Sequence, residues 1–372
     1  MRYFIPYSYC VTNALKQVLW HPDETGVCRS GLIGIVRLGK KRKSIVVIGG
    51  GSGSAVALSG LKSYDVDLTA VVTMFDSGGS TGILREEFGY PPLGDIRKCL
   101  VALSDKGNNQ IVALNSALDF RFGAESSLKG HSVGNLVLAA LTTVYSGVQG
   151  AIDELSRMMQ LEGQVVPVTL DEAHLCARLI DGQVILTESA IDLRGANGPG
   201  ISEVFLDSEV SANDRALQAI READAILLGP GDLYTSVIPN LLVQEVRDAI
   251  RDTRSPVIYA CNLMTKLGET AGYGASTFAS ELVRYLGGRK LDYLLVNNTT
   301  FTPDVLDVYA VEGAQPVELD NGATEKFAHE ILVSDLVYID GLMVRHHSER
   351  LAGMVMATIE QPVKNPLSTG LE

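Results

Sequence analysis

The sequence predicts an α/β fold: a mostly parallel sheet covered by helices on both faces, with a small inserted antiparallel hairpin unit. Short apolar runs typical of buried strands are followed several times by a glycine-containing loop and then by apolar residues at helical spacing. Strand and helix alternate along the chain, which is the pattern of a parallel sheet. The stretch Gln164–Asp192 instead alternates apolar and polar residues around an Asp-Gly pair, which is a hairpin signal.

The first half of the chain contains two predicted strands and three predicted helices. Ser44–Ile48 is continuously apolar, and the residues after its glycine cluster recur at helical spacing as far as Leu61. Leu68–Met74 repeats the buried-strand pattern. Asp95–Leu103 and Leu136–Val144 carry apolar residues along one face, so both are predicted helices.

The α/β pattern resumes after the hairpin unit. Ala225–Leu228, Val257–Ala260 and Leu291–Val296 are predicted strands, and each is followed by a loop that contains Gly or Asn. Leu241–Ile250 is amphipathic and is a predicted helix, and Val344–Ile359 is predicted to be a closing helix. Three further buried strands extend the predicted parallel sheet.

Composition excludes several classes of protein. The 372 residues are 46% hydrophobic and carry a net charge of −13, which excludes a disordered chain and argues against a general nucleic-acid-binding surface. The five cysteines form no CxxC pair and the six histidines no HxxxH pair, so we expect no disulfide framework and no His-based metal site. A reducing, cytoplasmic location is the simplest expectation. No apolar run reaches the roughly 18 residues of a membrane helix, and we expect no signal peptide.

The two ends differ in character from the predicted domain. Residues 1–43 hold eight Lys or Arg against two Asp or Glu. We interpret them as a peripheral or disordered extension, with contact to an anionic surface as the alternative. Residues 44–360 form the predicted α/β domain, with the hairpin unit near 164–192, and residues 361–372 form a tail.

A dense glycine loop between the first predicted strand and helix indicates a phosphate site. Glycines let the backbone approach a ligand, and a helix N-terminus presents free N–H groups. The third glycine of the dinucleotide fingerprint is replaced by Ser54, and no Gly-Lys-Ser/Thr ending follows. We therefore predict nucleotide binding without the usual ATPase, and a tight turn alone is the alternative. The candidate residues are Gly49, Gly50, Gly51, Ser52 and Gly53.

A second candidate loop follows the strand predicted at Leu68–Met74. Its acidic residue is placed to accept hydrogen bonds from ribose hydroxyls, and its glycines and hydroxyls could form an anion nest. Arg85 would add positive charge. The alternative is an ordinary loop whose Asp caps a helix. The candidate residues are Asp76, Ser77, Gly78, Gly79 and Ser80.

Two more segments before predicted helices contain candidates. Asp95 is placed to cap a helix, which is its simplest role, and is also a candidate ligand contact. Arg97, in the first turn, has the wrong sign for the helix dipole, which indicates an anionic partner. We assign His131 to loop packing, because no nucleophile is visible beside it, and Asn135 to ligand contact.

A third glycine turn follows Ala225–Leu228, and further candidates follow the next predicted strand. All of these loops lie at the carboxyl ends of strands, where ligands bind in open α/β sheets. The residues alone therefore predict a site for a phosphorylated, nucleotide-bearing ligand. The candidates here are Gly229, Pro230, Gly231, Thr235, Ser236, Asn262 and Lys266.

Six motifs, in order, resemble those of a known family. The chain resembles the YvcK-like gluconeogenesis factors, within the wider CofD-like 2-phospho-L-lactate transferase superfamily, from about residue 44 to the closing helix. The resemblance implies a Rossmann-like three-layer αβα sandwich and a cytoplasmic protein. The motifs are Val46–Gly51, Asp76–Gly82, Pro92–Arg97, Gly134–Leu136, Gly229–Leu242 and Cys261–Thr265.

The resemblance implies one of two functions. Gluconeogenesis factors bind UDP-sugars such as UDP-N-acetylglucosamine and affect cell shape and cell-wall growth on gluconeogenic carbon, with no established turnover. The transferases move a phospholactyl group from a GDP-linked donor to a deazaflavin alcohol with a divalent metal. The stretches Ile238–Val243 and Cys261–Thr270 favour the first branch.

Two departures from the family pattern bear on this choice. Ser77 stands where a second Asp is common, and Asp232 where a Ser is common. We therefore expect a nucleotide-sugar-binding regulator with no certain cofactor and no metal. The alternative is a transferase that uses Mg²⁺ through Asp76 and Asp95. A nicotinamide-dependent oxidoreductase is a third reading, against which the missing glycine counts. A homo-oligomer is left open, and no protein partner is predicted.

Overall fold

Seven parallel strands form the central sheet of the computed structural model, which describes residues 42–123, 125–195, 198–320 and 323–360. In chain order the strands are β1 Lys43–Gly49, β2 Val66–Val72, β3 Gln164–Pro167, β4 Leu175–Leu179, β5 Val184–Leu186, β6 Ile201–Leu206, β7 Ala225–Leu228, β8 Val257–Ala260, β9 Leu291–Asn297, β10 Ala328–Ser334, β11 Val337–Asp340 and β12 Met343–His346.

Thirteen α-helices accompany these strands in the described residues. They are α1 Gly51–Leu61, α2 Gly79–Phe88, α3 Gly94–Leu103, α4 Asn109–Asp119, α5 Val133–Val144, α6 Val148–Met158, α7 Glu188–Asp192, α8 Asp214–Glu222, α9 Ile238–Leu242, α10 Gln244–Asp252, α11 Ala275–Tyr285, α12 Pro303–Val311 and α13 Ser348–Glu360. A π-helical turn, Leu233–Val237, leads into α9.

The predicted α/β fold is confirmed. The strand order is β10-β9-β8-β7-β1-β2-β3, and every neighbouring pair is parallel. Chain order therefore reverses between β1 and β7, which makes their carboxyl ends the topological switch point of the sheet. Helix α1 packs against α3 and α13, and α8 packs against α10.

Strand β1 shows why the sequence folds in this way. Ile45–Ile48 is fully buried, and the strand pairs with β2 on one side and β7 on the other. A central strand covered on both faces needs apolar residues at successive positions, which is the pattern that predicted it.

The antiparallel unit exists, but its predicted bounds of 164–192 are wrong. Gln164–Pro167 pairs in parallel with β2 as an edge strand of the main sheet. The hairpin is β4–β5 around Asp181 and Gly182, and β6 joins β4 on its other side. The alternation that marks a half-covered strand begins only at Leu175, because β3 is buried like the rest of the main sheet.

Two predicted helices have different bounds. The segment 241–250 is divided between α9 and α10, because Val243 is extended with ψ 108°. The closing helix begins at Ser348, and Val344 lies instead in β12, which pairs with β11. Strand β12 has only four residues, so the spacing of its apolar residues does not distinguish it from the start of the helix that follows.

The two ends of the chain lie largely outside the described residues. Strand β1 begins at Lys43, and the remaining residues of the predicted extension and tail, 1–41 and 361–372, lie outside the described residues. Among the described residues, Cys99, Cys176 and Cys261 are buried free thiols. No single described helix is long and apolar enough to cross a membrane; α5 and α6 reach that length only as a pair bent by 120°.

Candidate functional site

The loops that follow β1 and β7 meet at the switch point. The Gly229 N–H donates to the Ile48 carbonyl at 2.9 Å. A Cβ on Gly53 would overlap the carbonyl oxygen of Pro230, so only glycine allows this approach. The buried Asn240 amide donates to the Gly49 carbonyl at 3.4 Å and to the Ser236 carbonyl at 2.9 Å. The predicted glycine loops after β1 and β7 are therefore in direct contact.

The N-terminus of α1 lies at this junction without a side-chain cap. Gly50 precedes the helix in an extended conformation, and no side chain bonds to the first turn. The first N–H groups of a helix lack intrahelical acceptors and attract anions. The backbone N–H groups at Gly51, Ser52 and Gly53 can therefore donate to an anion.

Two cavities open on either side of Ser52. The smaller, about 210 Å³, is lined by five predicted residues, Ser52, Gly53, Pro230, Gly231 and Asn262. The larger, about 640 Å³, lies between α1, α3 and the β11–β12 hairpin. Both cavities are lined by Ser52, Val56, Arg345 and His346, so together they form one groove, which we call the junction groove.

The β12 residues of this groove were missed by the sequence analysis, which assigned them to a helix. Arg345 is the permanently charged residue that lines both cavities. The Nε2 of His346 lies 3.0 Å from the carbonyl oxygen of Cys261 and donates to it, since a carbonyl can only accept. Burial lowers the pKa of His346 to about 4, so the imidazole is neutral. Lys98 and Lys106 add positive charge to the larger cavity.

An acidic cluster adjoins the junction groove beneath Gly50. A Cβ on Gly50 would lie 2.6 Å from the Asp95 carboxylate, and one on Gly94 would lie 3.5 Å from that of Asp76. Lys98 donates to Asp95 at 3.0 Å. Asp95 is buried in the first turn of α3 and makes no capping bond, so its predicted capping role is wrong.

The third member of the acidic cluster is Glu188, from the first turn of α7. Its carboxylate accepts from the Ser77 N–H at 3.1 Å, and the Ser77 hydroxyl accepts from the Ser189 N–H at 2.9 Å. Burial and then the charge of Asp76 raise the pKa of Glu188 to about 8. Burial and then the charge of Asp95 raise the pKa of Asp76. Glu188 therefore brings a third carboxyl group to the loop that follows β2, against the backbone of Ser77.

Lys266 is the centre of a second cluster, beside the smaller cavity. Its ammonium bonds Asp192, Asp232 at 2.8 Å and Glu269 at 3.0 Å. The carboxylate oxygens of these three residues lie within 4.8 Å of one another, close enough to hold a metal ion, but they surround the lysine. Burial by itself would lower the pKa of Lys266, and the facing carboxylates outweigh it and raise that pKa. Burial raises the pKa of Glu269 to about 7.

Several predicted ligand residues have internal partners. Arg97 is buried and pairs with Asp119. Its positive charge in the first turn of α3 is therefore compensated by a carboxylate of the chain itself. The Asn135 amide donates to the Ser80 hydroxyl at 3.3 Å, and that hydroxyl lies 2.9 Å from Nδ1 of His131, in line with a packing role for His131. The Thr235 hydroxyl donates to Glu269 at 3.4 Å. These residues shape the loops around the groove.

The remaining predicted residues lie at the edges of the two clusters. The Gly78 N–H donates to the Asp76 carboxylate at 2.8 Å, and Gly79, with φ 49°, begins α2. A Cβ on Gly51 would lie 3.8 Å from the Ser236 hydroxyl, which places Ser236 beside the first turn of α1. The side-chain oxygen Oδ1 of Asn262 accepts from the hydroxyl of Tyr259 at 3.1 Å.

Comparison with known proteins identifies the family. The family described as "2-phospho-L-lactate transferase CofD" matches residues 45–337, which include β1 from Ile45 onward, all the glycine loops and both carboxylate clusters. The chain belongs to the CofD family. A crystal structure of a protein from Bacillus halodurans, titled a member of the UPF0052 family, is 36% identical in sequence. It superposes with a TM-score of 0.80 and covers 85% of this chain and 100% of that one.

Several proteins similar to this chain are named gluconeogenesis factors. A Thermotoga maritima protein named "Putative gluconeogenesis factor" is 42% identical over 315 residues, which are 84% of this chain and 98% of that protein. A Bacillus subtilis protein named "Gluconeogenesis factor" is 36% identical over 325 residues, which are 87% of this chain and 100% of that protein. The recognition made from the six motifs is confirmed.

Proposed function

We propose that this protein is a gluconeogenesis factor that binds a nucleotide sugar of the UDP-N-acetylglucosamine type in the junction groove. On this proposal it is a cytoplasmic regulator of cell shape and cell-wall growth under gluconeogenic conditions. The names of the relatives support the gluconeogenic role. The role in cell shape rests on the resemblance of the motifs.

The observation that carries the binding proposal is the meeting of two cavities at one anion site. Ser52, in the uncapped first turn of α1, and Arg345 line both cavities. A diphosphate placed there would have helix N–H groups on one side and a guanidinium on the other. A nucleotide sugar has this form, since its diphosphate lies between two bulky uncharged groups. The nucleoside and the sugar would each occupy one cavity.

Isothermal titration with UDP-N-acetylglucosamine, with and without Mg²⁺ and with GDP as comparator, tests this proposal. We expect metal-independent binding that prefers the UDP-sugar. Arg345→Gln should weaken it by at least about tenfold, since a bond between charged groups contributes about 1.5–3 kcal/mol. Arg350→Gln is the matched control, because Arg350 is exposed on α13 and pairs with Asp335. Equal affinity in the Arg345 variant, or no UDP-sugar binding, would contradict the proposal.

The acidic cluster favours a transferase as the second candidate function. Asp76, Asp95 and Glu188 offer carboxylate oxygens, the ligands that Mg²⁺ prefers, and burial followed by mutual repulsion raises the pKa values of Asp76 and Glu188. The three are not gathered as a ready metal site, since within the described residues only Asp192, Asp232 and Glu269 bring three such ligands within 4.8 Å of one another. A cation held by Asp76 and Asp95 would neutralise charge on a transferring phosphoryl group. Magnesium-dependent release of a nucleoside monophosphate from a GDP-linked donor would support this function, and its absence with intact UDP-sugar binding would support the regulator.

Growth on gluconeogenic carbon tests the cellular role. The chain, expressed in a bacterium that lacks its own gluconeogenesis factor, should restore growth and rod shape on such carbon sources. The Arg345→Gln variant should restore them less well at equal protein level, because its weaker binding would leave less of the protein with ligand in the groove. Restoration by a variant that binds no UDP-sugar would separate the cellular role from the binding proposal.

A further inference from the structure

A third cavity lies between α2 and the antiparallel unit, apart from the junction groove. Its volume is about 440 Å³, which is within the range of small-molecule sites. Its lining includes Ser77, Arg85, Glu172, His174, Thr187 and Ser189, and none of its lining residues lines either cavity of the junction groove. We call it the α2 cavity.

Arg85 brings to this cavity a guanidinium without a salt bridge. One of its terminal nitrogens donates to the Ala173 carbonyl at 2.6 Å, and the other is buried with no hydrogen-bond acceptor. Within the described residues no carboxylate lies at ion-pair distance from Arg85, although Glu172 and Asp207 act on it from farther away. Burial lowers the pKa of this arginine, which expresses the cost of holding its charge out of water. An anion in the cavity would offset that cost.

Two other lining residues of the α2 cavity, His174 and Thr187, have features that are common at ligand sites. The Nδ1 of His174 is buried and has no hydrogen-bond partner among the described residues, and a buried polar atom of this kind costs free energy until it finds one. Thr187 has φ 74°, a conformation that is strained for a β-branched residue. Such strain is concentrated at ligand and active sites.

The remaining polar groups define what else the ligand carries. The lining also includes the hydroxyl-bearing residues Ser77, Thr187 and Ser189 and two exposed glutamates, Glu86 and Glu172. Carboxylates accept hydrogen bonds and would repel a second negative charge. A ligand with one anionic group would pair with Arg85, and its neutral hydroxyls would donate hydrogen bonds to the glutamates.

We propose that the α2 cavity binds a sugar phosphate, with its phosphate at Arg85 and His174 and its hydroxyls at Glu86 and Glu172. The site is separate from the junction groove and touches the acidic cluster through Ser77, whose N–H bonds Glu188. The inference does not depend on the nucleotide-sugar proposal, because the two sites share no lining residue.

Titration with glucose 6-phosphate, with glucose and inorganic phosphate as comparators, tests the proposal. We expect saturable binding of glucose 6-phosphate, weaker binding of phosphate and none of glucose. Arg85→Gln should weaken glucose 6-phosphate binding by at least about tenfold, the effect of losing a charge-assisted bond. Arg157→Gln, the same substitution on an exposed arginine of α6, should leave binding unchanged.

Glu172→Gln supplies a second variant at an exposed position, where folding is not at risk. It should change the affinity for glucose 6-phosphate and leave that for inorganic phosphate unchanged, because only the sugar reaches Glu172. Saturating UDP-N-acetylglucosamine should not compete. The proposal is overturned by equal binding in the Arg85 variant, by competition with the UDP-sugar, or by no saturable binding at millimolar concentration.

Discussion

The Glu188 carboxylate accepts a hydrogen bond from the backbone N–H of Ser77 at 3.1 Å, across 111 positions of sequence. This bond joins α7 of the antiparallel unit to the loop after β2. It also places a carboxyl group beside the Asp76 loop, where burial and then the charge of Asp76 raise the pKa of Glu188. The insertion therefore contributes directly to the candidate site.

Stability should fall with rising pH because of Glu188. The pKa of Glu188 is about 8 in the folded chain, against an ordinary 4.5, so the folded state holds a proton that the unfolded state releases between those values. The contribution of this group is fully present below about pH 4.5 and is lost as pH rises through about 8. Glu188→Gln should flatten the decline in melting temperature between about pH 5 and pH 9.

The control for this measurement is Glu330→Gln, at an exposed position of β10. It should leave the pH profile of the wild-type protein unchanged. Equal profiles for the wild-type and Glu188 variants would mean that Glu188 is ionised throughout and that the acidic cluster is not protonated. Added Mg²⁺ should also flatten the wild-type profile if the cluster binds it, because bound cation favours the ionised carboxylates.

Local signals predicted the fold class, most strands of the main sheet and the glycine-loop side of the groove. Continuous apolar runs indicated five of the seven parallel strands because those strands are central and buried on both faces. The glycines of the two loops could be found because their close approach excludes side chains. Arg345 and Glu188 could not be found in this way. One lies on a four-residue strand without a turn signature, the other on a short helix of an insertion, and both reach the site only through tertiary contacts.

Gly53 should be intolerant of the smallest side chain. Alanine normally stabilises a helix by about 1 kcal/mol over glycine. At Gly53 its Cβ would overlap the Pro230 carbonyl, so Gly53→Ala should instead lower the free energy of unfolding by about 1–3 kcal/mol. The approach of α1 to Gly229–Gly231 should open, and UDP-sugar affinity should fall. Chemical denaturation and titration of the same preparation measure both effects.

Gly353 is the matched control for that substitution. It lies within α13, and a Cβ there would come no closer than 3.6 Å to the Tyr64 hydroxyl, which is an ordinary contact. Gly353→Ala should therefore raise stability by about 0.5–1 kcal/mol and leave binding unchanged. Stabilisation of the Gly53 variant by the same amount would show that the two loops are not in contact.

Lys266 should have separable effects on stability and on binding. Lys266→Met leaves Glu269 buried without its counter-ion, at a cost of about 3 kcal/mol, and exposes a phosphate in the smaller cavity to the charge of Asp232. Both stability and UDP-sugar affinity should fall. Adding Asp232→Ser should restore affinity but not stability, because Glu269 remains unpaired. A double variant that restores neither would place Asp232 outside the phosphate's reach.

The Arg97–Asp119 pair should respond asymmetrically to loss of either partner. Arg97 is buried, whereas the Asp119 side chain is about half exposed, at 52%. Asp119→Asn leaves a buried guanidinium uncompensated and should cost about 3 kcal/mol. Arg97→Met leaves a carboxylate that water can solvate and fills the same space against Gly134, so it should cost about 1 kcal/mol. Urea denaturation of both variants measures the difference. Equal losses of stability in the two variants would mean that Arg97 has another anionic partner. Unchanged UDP-sugar affinity in Arg97→Met would show that this arginine supports the fold and does not contact the ligand.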